Sequence, residues 1–279
     1  MKKITTLFLL CLAAIAGSAQ QKADIEVSYS VYKPNFRDGK TDLKNQYILL
    51  ANATESKFYS PFTEYIDSLN STPYGKAKLN EMLRAAMNSG EFENIPKPDG
   101  TIYVLKFFNA NELKHFDSNG LEKYVYEEPI EQINWEIKDS IKVILGYECT
   151  MAITNYHGRS WTVWFAPDIP IQNGPWKLNG LPGLILEAEA DKGQYSFVAT
   201  GIQQSAKTIR PVYLADEYES TTRIRYLKSM RESLDNPLGK INAQFGGELG
   251  TISASDVNEM KKFFAPASVA DFIETDYHK

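Results

Sequence analysis

The stretch that most constrains this chain is Leu181-Pro182-Gly183-Leu184 together with the alternating run to Ala190. Pro182 presets φ near the value that a type II turn needs at its second position, and Gly183 accepts φ > 0 at the third. The chain is therefore expected to reverse here. Leu184, Leu186, Ala188 and Ala190 then alternate with Ile185, Glu187 and Glu189, which is the period of a strand with one apolar face. Asp191-Lys192-Gly193 reads as a hairpin turn, and Tyr195, Phe197 and Ala199 return on the inner face of the next strand. A β-hairpin with a Gly/Pro-locked entrance has to sit inside an antiparallel sheet.

The rest of the chain supplies that sheet. Ile25, Val27, Tyr29 and Val31 alternate with polar residues over 24–32, and residues 47–51 and 57–59 resemble two further strands. Residues 62–90 change to helical spacing, with Leu79, Met82, Leu83 and Met87 on one stripe and Gly90 as a stop. That stripe is expected to pack in the core. Strands return over 101–107, 121–127, 133–138, 142–155 and 160–165, rich in β-branched and aromatic residues, with sequential antiparallel pairing expected. Tyr156-His157-Gly158-Arg159 is read as a hairpin turn and Pro167-Asp-Ile-Pro170 as the end of the following strand. Asp216 to Leu234 is expected to be helical and closed by Asp235-Asn-Pro237, residues 239–251 a loop, and 253–260 a short capped helix. The fold class is α+β, mainly β: a curved antiparallel sheet, an open half-barrel, covered by a few helices.

Lys2 and Lys3, the apolar run from Ile4 to Ala16 and the small residues Gly17-Ser18-Ala19 have the form of an export signal cleaved after Ala19. Cys11 lies too early in the apolar run, and without a small residue before it, to be a lipid-anchor site. The expected product is 20–279 as a single domain, periplasmic or secreted, with no second run of transmembrane length. Loss of Lys2 and Lys3 makes the formal charge of −5 more negative by two, which disfavours nucleic acid and anionic membrane. Cys149 is then the lone cysteine, lying among β-formers, and a buried inert thiol is expected there.

Residues 132–190 carry six motifs in order: Trp135-Glu-Ile137, Gly146-Tyr-Glu-Cys149, Gly158-Arg159, Trp164-Phe165, Asp168-Ile-Pro170 and Gly174-Pro175-Trp176, followed by Gly180-Leu181-Pro182-Gly183-Leu184-Ile185. In this frame the chain resembles the GLPGLI family, exported proteins of Gram-negative bacteria named after that hexapeptide. The resemblance implies export and the shared motif, and brings no established activity with it.

No catalytic constellation is complete. Cys149 and His157, eight residues apart, are the pair a hydrolase or a soft-metal site would use, brought together across the expected hairpin. No Gly-x-Ser-x-Gly elbow accompanies them. Glu187 and Glu189 share a strand face and have the form of a glycosidase pair, but an exposed charged face is the far more common explanation of such a pattern. The histidines His115, His157 and His278 fall at no metal-ligand spacing, so no metal and no cofactor is expected. Twelve per cent aromatic residues, with Trp161, Trp164 and Trp176 near the central turn, suit a sheet curled over a hydrophobic concavity. The reading is an exported cell-envelope protein, non-enzymatic, binding a hydrophobic small molecule or an envelope protein. Its alternative is a hydrolase or soft-metal protein using Cys149 and His157.

Overall fold

The computed structural model describes residues 21–34, 43–90, 100–119, 122–191, 193–236, 239 and 272–278. The expected export signal, the loop at 239–251 and the short helix at 253–260 lie outside these residues, apart from residue 239 itself.

Among the described residues twelve strands form one open sheet. In chain order they are β1 (Ile25–Lys33), β2 (Leu43–Ala51), β3 (Glu55–Tyr59), β4 (Tyr103–Phe107), β5 (Glu112–Asn119), β6 (Glu122–Pro129), β7 (Glu136–Ile144), β8 (Tyr147–Tyr156), β9 (Arg159–Ala166), β10 (Leu184–Ala190), β11 (Tyr195–Gln204) and β12 (Glu219–Ser220). The spatial order is β12-β6-β5-β4-β3-β2-β1-β11-β10-β9-β8-β7. Two meanders, β1 to β6 and β7 to β11, are therefore joined side by side through an antiparallel β1–β11 pair. The added β12 lies parallel to β6.

This order bends the sheet. β6 and β7 are ten strand spacings apart, about 48 Å across a flat sheet at ~4.8 Å each. The six residues 130–135 that join them span at most about 25 Å when extended. The two edges must curl toward each other, which is the open half-barrel expected from the sequence. The side they enclose carries the main core, including Val27, Tyr29, Leu49, Phe58, Val104, Trp161, Val163, Phe165 and Phe197.

The segment between β9 and β10 fills that interior. Trp176, Leu178 and Leu181 are buried there, and Trp176 stacks on Trp161 with ring centroids 5.7 Å apart. The hexapeptide is positioned by close approach. Gly183 does not have positive φ; instead a Cβ on it would collide with the carbonyl of Ala166. The left-handed residue is Gly180, at φ +88. The sharp bend expected at 181–184 is there, but the steric reason for Gly183 is packing against the end of β9 rather than a type II turn. Tyr29 Oη donates to the Ile185 carbonyl at 2.7 Å, tying the start of β10 to β1.

Among the described residues three helices accompany the sheet: α1 (Pro61–Asn70), α2 (Pro73–Ser89) and α3 (Arg223–Asp235). Ser60, Thr72 and Thr222 cap their N-termini through side-chain acceptors, and Pro61 and Pro73 open α1 and α2 where a missing N–H costs nothing. The helical spacing at 61–65 and 76–87 thus belongs to two helices, both longer than the spacing alone marks. The apolar stripe is not core: only Gly75 and Ala86 of α2 are buried, and Met87 is 71% exposed. α2 rests on α1 and does not reach the sheet's interior.

Two other expectations shift. The run 142–155 is broken by a two-residue turn at Leu145 and Gly146, φ 51° and 85°, which gives β7 and β8 in place of one long strand. β5 was not read from the sequence at all. The turn at His157 and Gly158 is as expected, with φ 50° and 81°.

These contacts set a stability order for the motif's glycines. Gly183→Ala should cost about 3 kcal/mol, because the added methyl meets backbone that cannot move aside. Gly180→Ala should cost only about 1–2 kcal/mol, the strain of a left-handed alanine whose methyl makes an ordinary contact with Trp135 at 3.9 Å. Denaturant unfolding of both variants measures the difference, and equal losses would remove the packing argument.

Candidate functional site

β5 alternates with its inward side chains Leu113, His115, Asp117 and Asn119 all buried. Two of these, His115 and Asp117, form the wall of a cavity of about 150 Å³ between the sheet, α3 and the C-terminal segment. α3 contributes Tyr226, Leu227 and Met230, and the C-terminal segment contributes Phe272, Ile273 and Glu274.

His115 is 2% exposed and stacks face to face on Tyr126, its cross-strand neighbour, at 4.7 Å between centroids. Burial, aided by the nearby Lys177 ammonium, pushes its pKa down to about 3, so the ring is neutral at ordinary pH. Its Nδ1 is buried and meets no protein partner. Such an atom typically costs about 1–3 kcal/mol in stability, which the surrounding ion pairs and ring stacking offset. Asp117 is fully engaged: Thr101 Oγ1, Tyr226 Oη and the Ser118 amide all donate to it. Burial raises its pKa against these three bonds.

Behind the cavity lies a buried ion-pair network. Glu274, 1% exposed, accepts from Lys177 at 2.9 Å and Arg223 at 2.8 Å. Burial alone would raise its pKa, but Lys177 first, then His157, His115 and Arg223, pull it down to about 2. Lys177 also pairs with Glu128 at 2.5 Å, and Arg223 with Asp276 at 2.7 Å. Arg159 holds the same C-terminal segment, donating to the carbonyls of Phe272 at 2.9 Å and Ile273 at 3.1 Å while pairing with Asp191 at 2.6 Å.

The sequence candidates separate. Cys149 is wholly buried, pairs across to Lys142 on β7, and its thiol pKa is raised by burial. His157 sits beyond the opposite end of β8, against Asp276 at 3.4 Å. Eight residues of extended chain put them about 25 Å apart, so they form neither a nucleophile–base pair nor a shared metal site. The hairpin that was expected to join them has both residues on its first strand and turn. Glu187 pairs with Lys142 at 2.6 Å, Lys142 lies over the Trp164 ring at 4.4 Å, and Glu189 is exposed, which is a charged outer surface and not a catalytic pair. Gly174 has a packing role: a Cβ there would press on Ile185. Pro175 offers its carbonyl to the Leu178 amide, closing the turn that buries Trp176.

One group of ligand-type atoms does converge: His157, Glu274 and Asp276 lie within 4.8 Å of one another. Their carboxylates already face Arg223 and Lys177. A divalent ion would sit beside two cations, so the set works as an ion-pair network rather than as a metal site.

The sequence reading missed the pieces that matter most here. His115 and Asp117 sit on the strand that was overlooked, although the period-two spacing of Leu113, His115, Asp117 and Asn119 carries the signal. Lys177, Arg223 and Glu274 are far apart in sequence and have no local signature. Lys106, 1% exposed, was also unread: its Nζ donates to Asn173 Oδ1 at 2.8 Å, the Gly174 carbonyl at 3.2 Å and the Leu178 carbonyl at 2.8 Å. Burial lowers its pKa well below the usual lysine value.

The acid side of the stability curve is set by two of these groups. Glu274 and His115 both have folded pKa values below their unfolded ones, near 4.5 and 6.5. The unfolded chain therefore binds protons first, and stability present above pH 6.5 is lost as pH falls toward 2. His115→Phe should flatten the part of the curve between pH 6.5 and 3, as measured by urea unfolding across pH. The buried Cys149 thiol should resist a thiol reagent in the native protein and react on unfolding; fast native labelling would contradict its burial.

Comparison with known proteins locates part of the chain. Among curated proteins none matches. Two solved structures of PNGF-II, in space groups P21 and C2, align at 17% identity each, over 76% and 74% of this chain, with TM-scores of 0.49 and 0.48. The aligned part spans about a third of those structures, 33% and 32% of their length. Residues 90–226, slightly under half of the chain, match the family described as N-glycanase peptide, N-terminal domain, and that portion of the protein is similar to this domain.

Proposed function

We propose that the chain is an exported, non-enzymatic binding module of the GLPGLI kind, holding a small ligand in the cavity between β5 and α3. The observation that carries this reading is the cavity itself: about 150 Å³, lined by Tyr226, Leu227, Met230, Phe272 and Ile273 together with the polar side chains of Thr101, His115, Asp117 and Glu274. Ligand sites have this makeup, a mostly apolar wall with a few oriented polar groups. Against catalysis, Cys149 and His157 lie too far apart to act together, and both cavity carboxylates are held by hydrogen bonds or ion pairs.

Two further points support the reading. The matched span, residues 90–226, includes the whole GLPGLI-like region at 132–190 and the β5 wall of the cavity. The matched family is named for the N-terminal domain of an N-glycanase, and on that relation the module serves beside enzymes that handle N-linked glycans in the envelope or outside the cell.

The test starts from the full chain expressed in a Gram-negative host. Cell fractionation and intact mass should find the product outside the cytoplasm and beginning at Gln20. Native mass spectrometry before and after denaturation should then reveal a released small molecule. Release of glycan from an N-glycopeptide by the purified chain would overturn the non-enzymatic reading, and a cytoplasmic product that retains Met1 would overturn the export reading.

A further inference from the structure

We infer that Gly158, Arg159, Lys177 and Arg223 form a docking site for an extended acidic peptide with two aromatic anchors. Its occupant is the C-terminal segment 272–277, held as a ligand of the rest of the chain and exchangeable for the same peptide in trans. The inference does not depend on what the cavity holds.

The segment is held as a peptide is held. Apart from one 3₁₀ turn at Asp276–His278, it belongs to no strand and no β-bridge among the described residues. Its main chain is clamped from outside instead. Arg159 donates to the carbonyls of Phe272 and Ile273, and the Thr275 amide donates to the His157 carbonyl at 2.9 Å. The Thr275 hydroxyl adds a bond to the Gly158 carbonyl at 3.0 Å. Phe272 and Tyr277 anchor the two ends, buried in one cluster with Tyr126 of β6 and with Tyr226 and Leu227 of α3. Arg231 lies over the Phe272 ring at 5.0 Å and donates to Tyr277 Oη at 2.9 Å. Main-chain bonds that give affinity, with pockets for spaced side chains that give specificity, are how extended peptides are recognised.

Charge selects the peptide. Arg159, Lys177, Arg223 and Arg231 all touch the segment, and Asp191 and Glu128 offset part of that charge from the receptor side. Glu274 and Asp276 bring the complement. Lys177 and Arg223 donate to Glu274 at 2.9 and 2.8 Å, and Arg223 to Asp276 at 2.7 Å. A cluster of arginines facing spaced carboxylates is the pattern by which acidic motifs are read.

The sequence motif Gly158-Arg159 finds its role here. A Cβ on Gly158 would collide with Thr275 Oγ1 and the Asp276 amide, so the segment demands glycine as much as the turn does. Arg159, 2% exposed, pairs with Asp191 while it reaches the carbonyls of the segment. Both residues of the motif act on the same peptide.

The experiment uses the full chain with a site-specific protease sequence inserted between Gly246 and Gly247 and cut after folding. A fluorescent peptide of residues 271–279 is titrated and read by anisotropy, with circular dichroism reporting whether the cut protein stays folded. The expected result is saturable binding to the cut protein as the native fragment exchanges out. Uncut protein should bind at least tenfold more weakly, because its tethered segment competes at high effective concentration. Peptides carrying Glu274→Gln or Asp276→Asn should also bind at least tenfold more weakly, with the receptor untouched. Raising salt from about 50 mM to about 500 mM should weaken the unaltered peptide. A cut protein that keeps its fold but never takes up the peptide would overturn the inference, because the segment is then built in. Loss of the fold on cutting would do the same, as would equal binding of a scrambled peptide of the same composition.

Discussion

A six-residue link shapes this protein. Because residues 130–135 must carry the chain from β6, one strand in from one edge of a twelve-strand sheet, to β7 at the other edge, the sheet curls, and a curled sheet has an inside that has to be filled. The segment between β9 and β10 fills it, and the polar backbone of that segment is brought into an apolar interior where each carbonyl needs a donor. Lys106 supplies two of those contacts from β4, its ammonium donating to the carbonyls of Gly174 and Leu178 and also to the Asn173 side chain. A lysine buried without a carboxylate is tolerable only because its donors are saturated in this way.

The same logic accounts for the motif residues. The hexapeptide and its Gly174-Pro175-Trp176 prelude lie where the filling segment meets β9 and β10, so their side chains are limited by space. Gly174 and Gly183 each have a neighbour where a Cβ would go. A stretch this restricted serves the architecture, and it leaves the chemistry to be found elsewhere, at the far end of the interior where α3 and the C-terminal segment close over β5 and β6.

That far end is held by charge. Arg159, Lys177 and Arg223 reach the C-terminal segment from three separate parts of the chain, and Glu274 is the acceptor at the centre. Removing one partner from such a buried network leaves an uncompensated charge, a loss of about 3–5 kcal/mol in comparable cases. The network thus fixes the wall of the cavity on one side, while the His115–Tyr126 stack fixes the other. Between them lies the cavity.

The sequence by itself determined the antiparallel strands of period two, the hairpin at His157-Gly158 and the burial of Cys149, because each depends on residues close together in the chain. It misplaced the reason for Gly183, since close approach to Ala166 is set by a residue outside the turn. It overestimated α2, whose apolar stripe has no sheet to meet. It overlooked β5, and it ran β7 and β8 together because Leu145 takes a left-handed conformation that its side chain gives no sign of. Only the tertiary structure decided that Cys149 and His157 lie at opposite ends of one strand, and that His115, Asp117, Tyr226 and Glu274 enclose one cavity. Those groups come from three distant stretches, and no local pattern encodes a meeting that depends on how far the sheet must bend for a short link to reach.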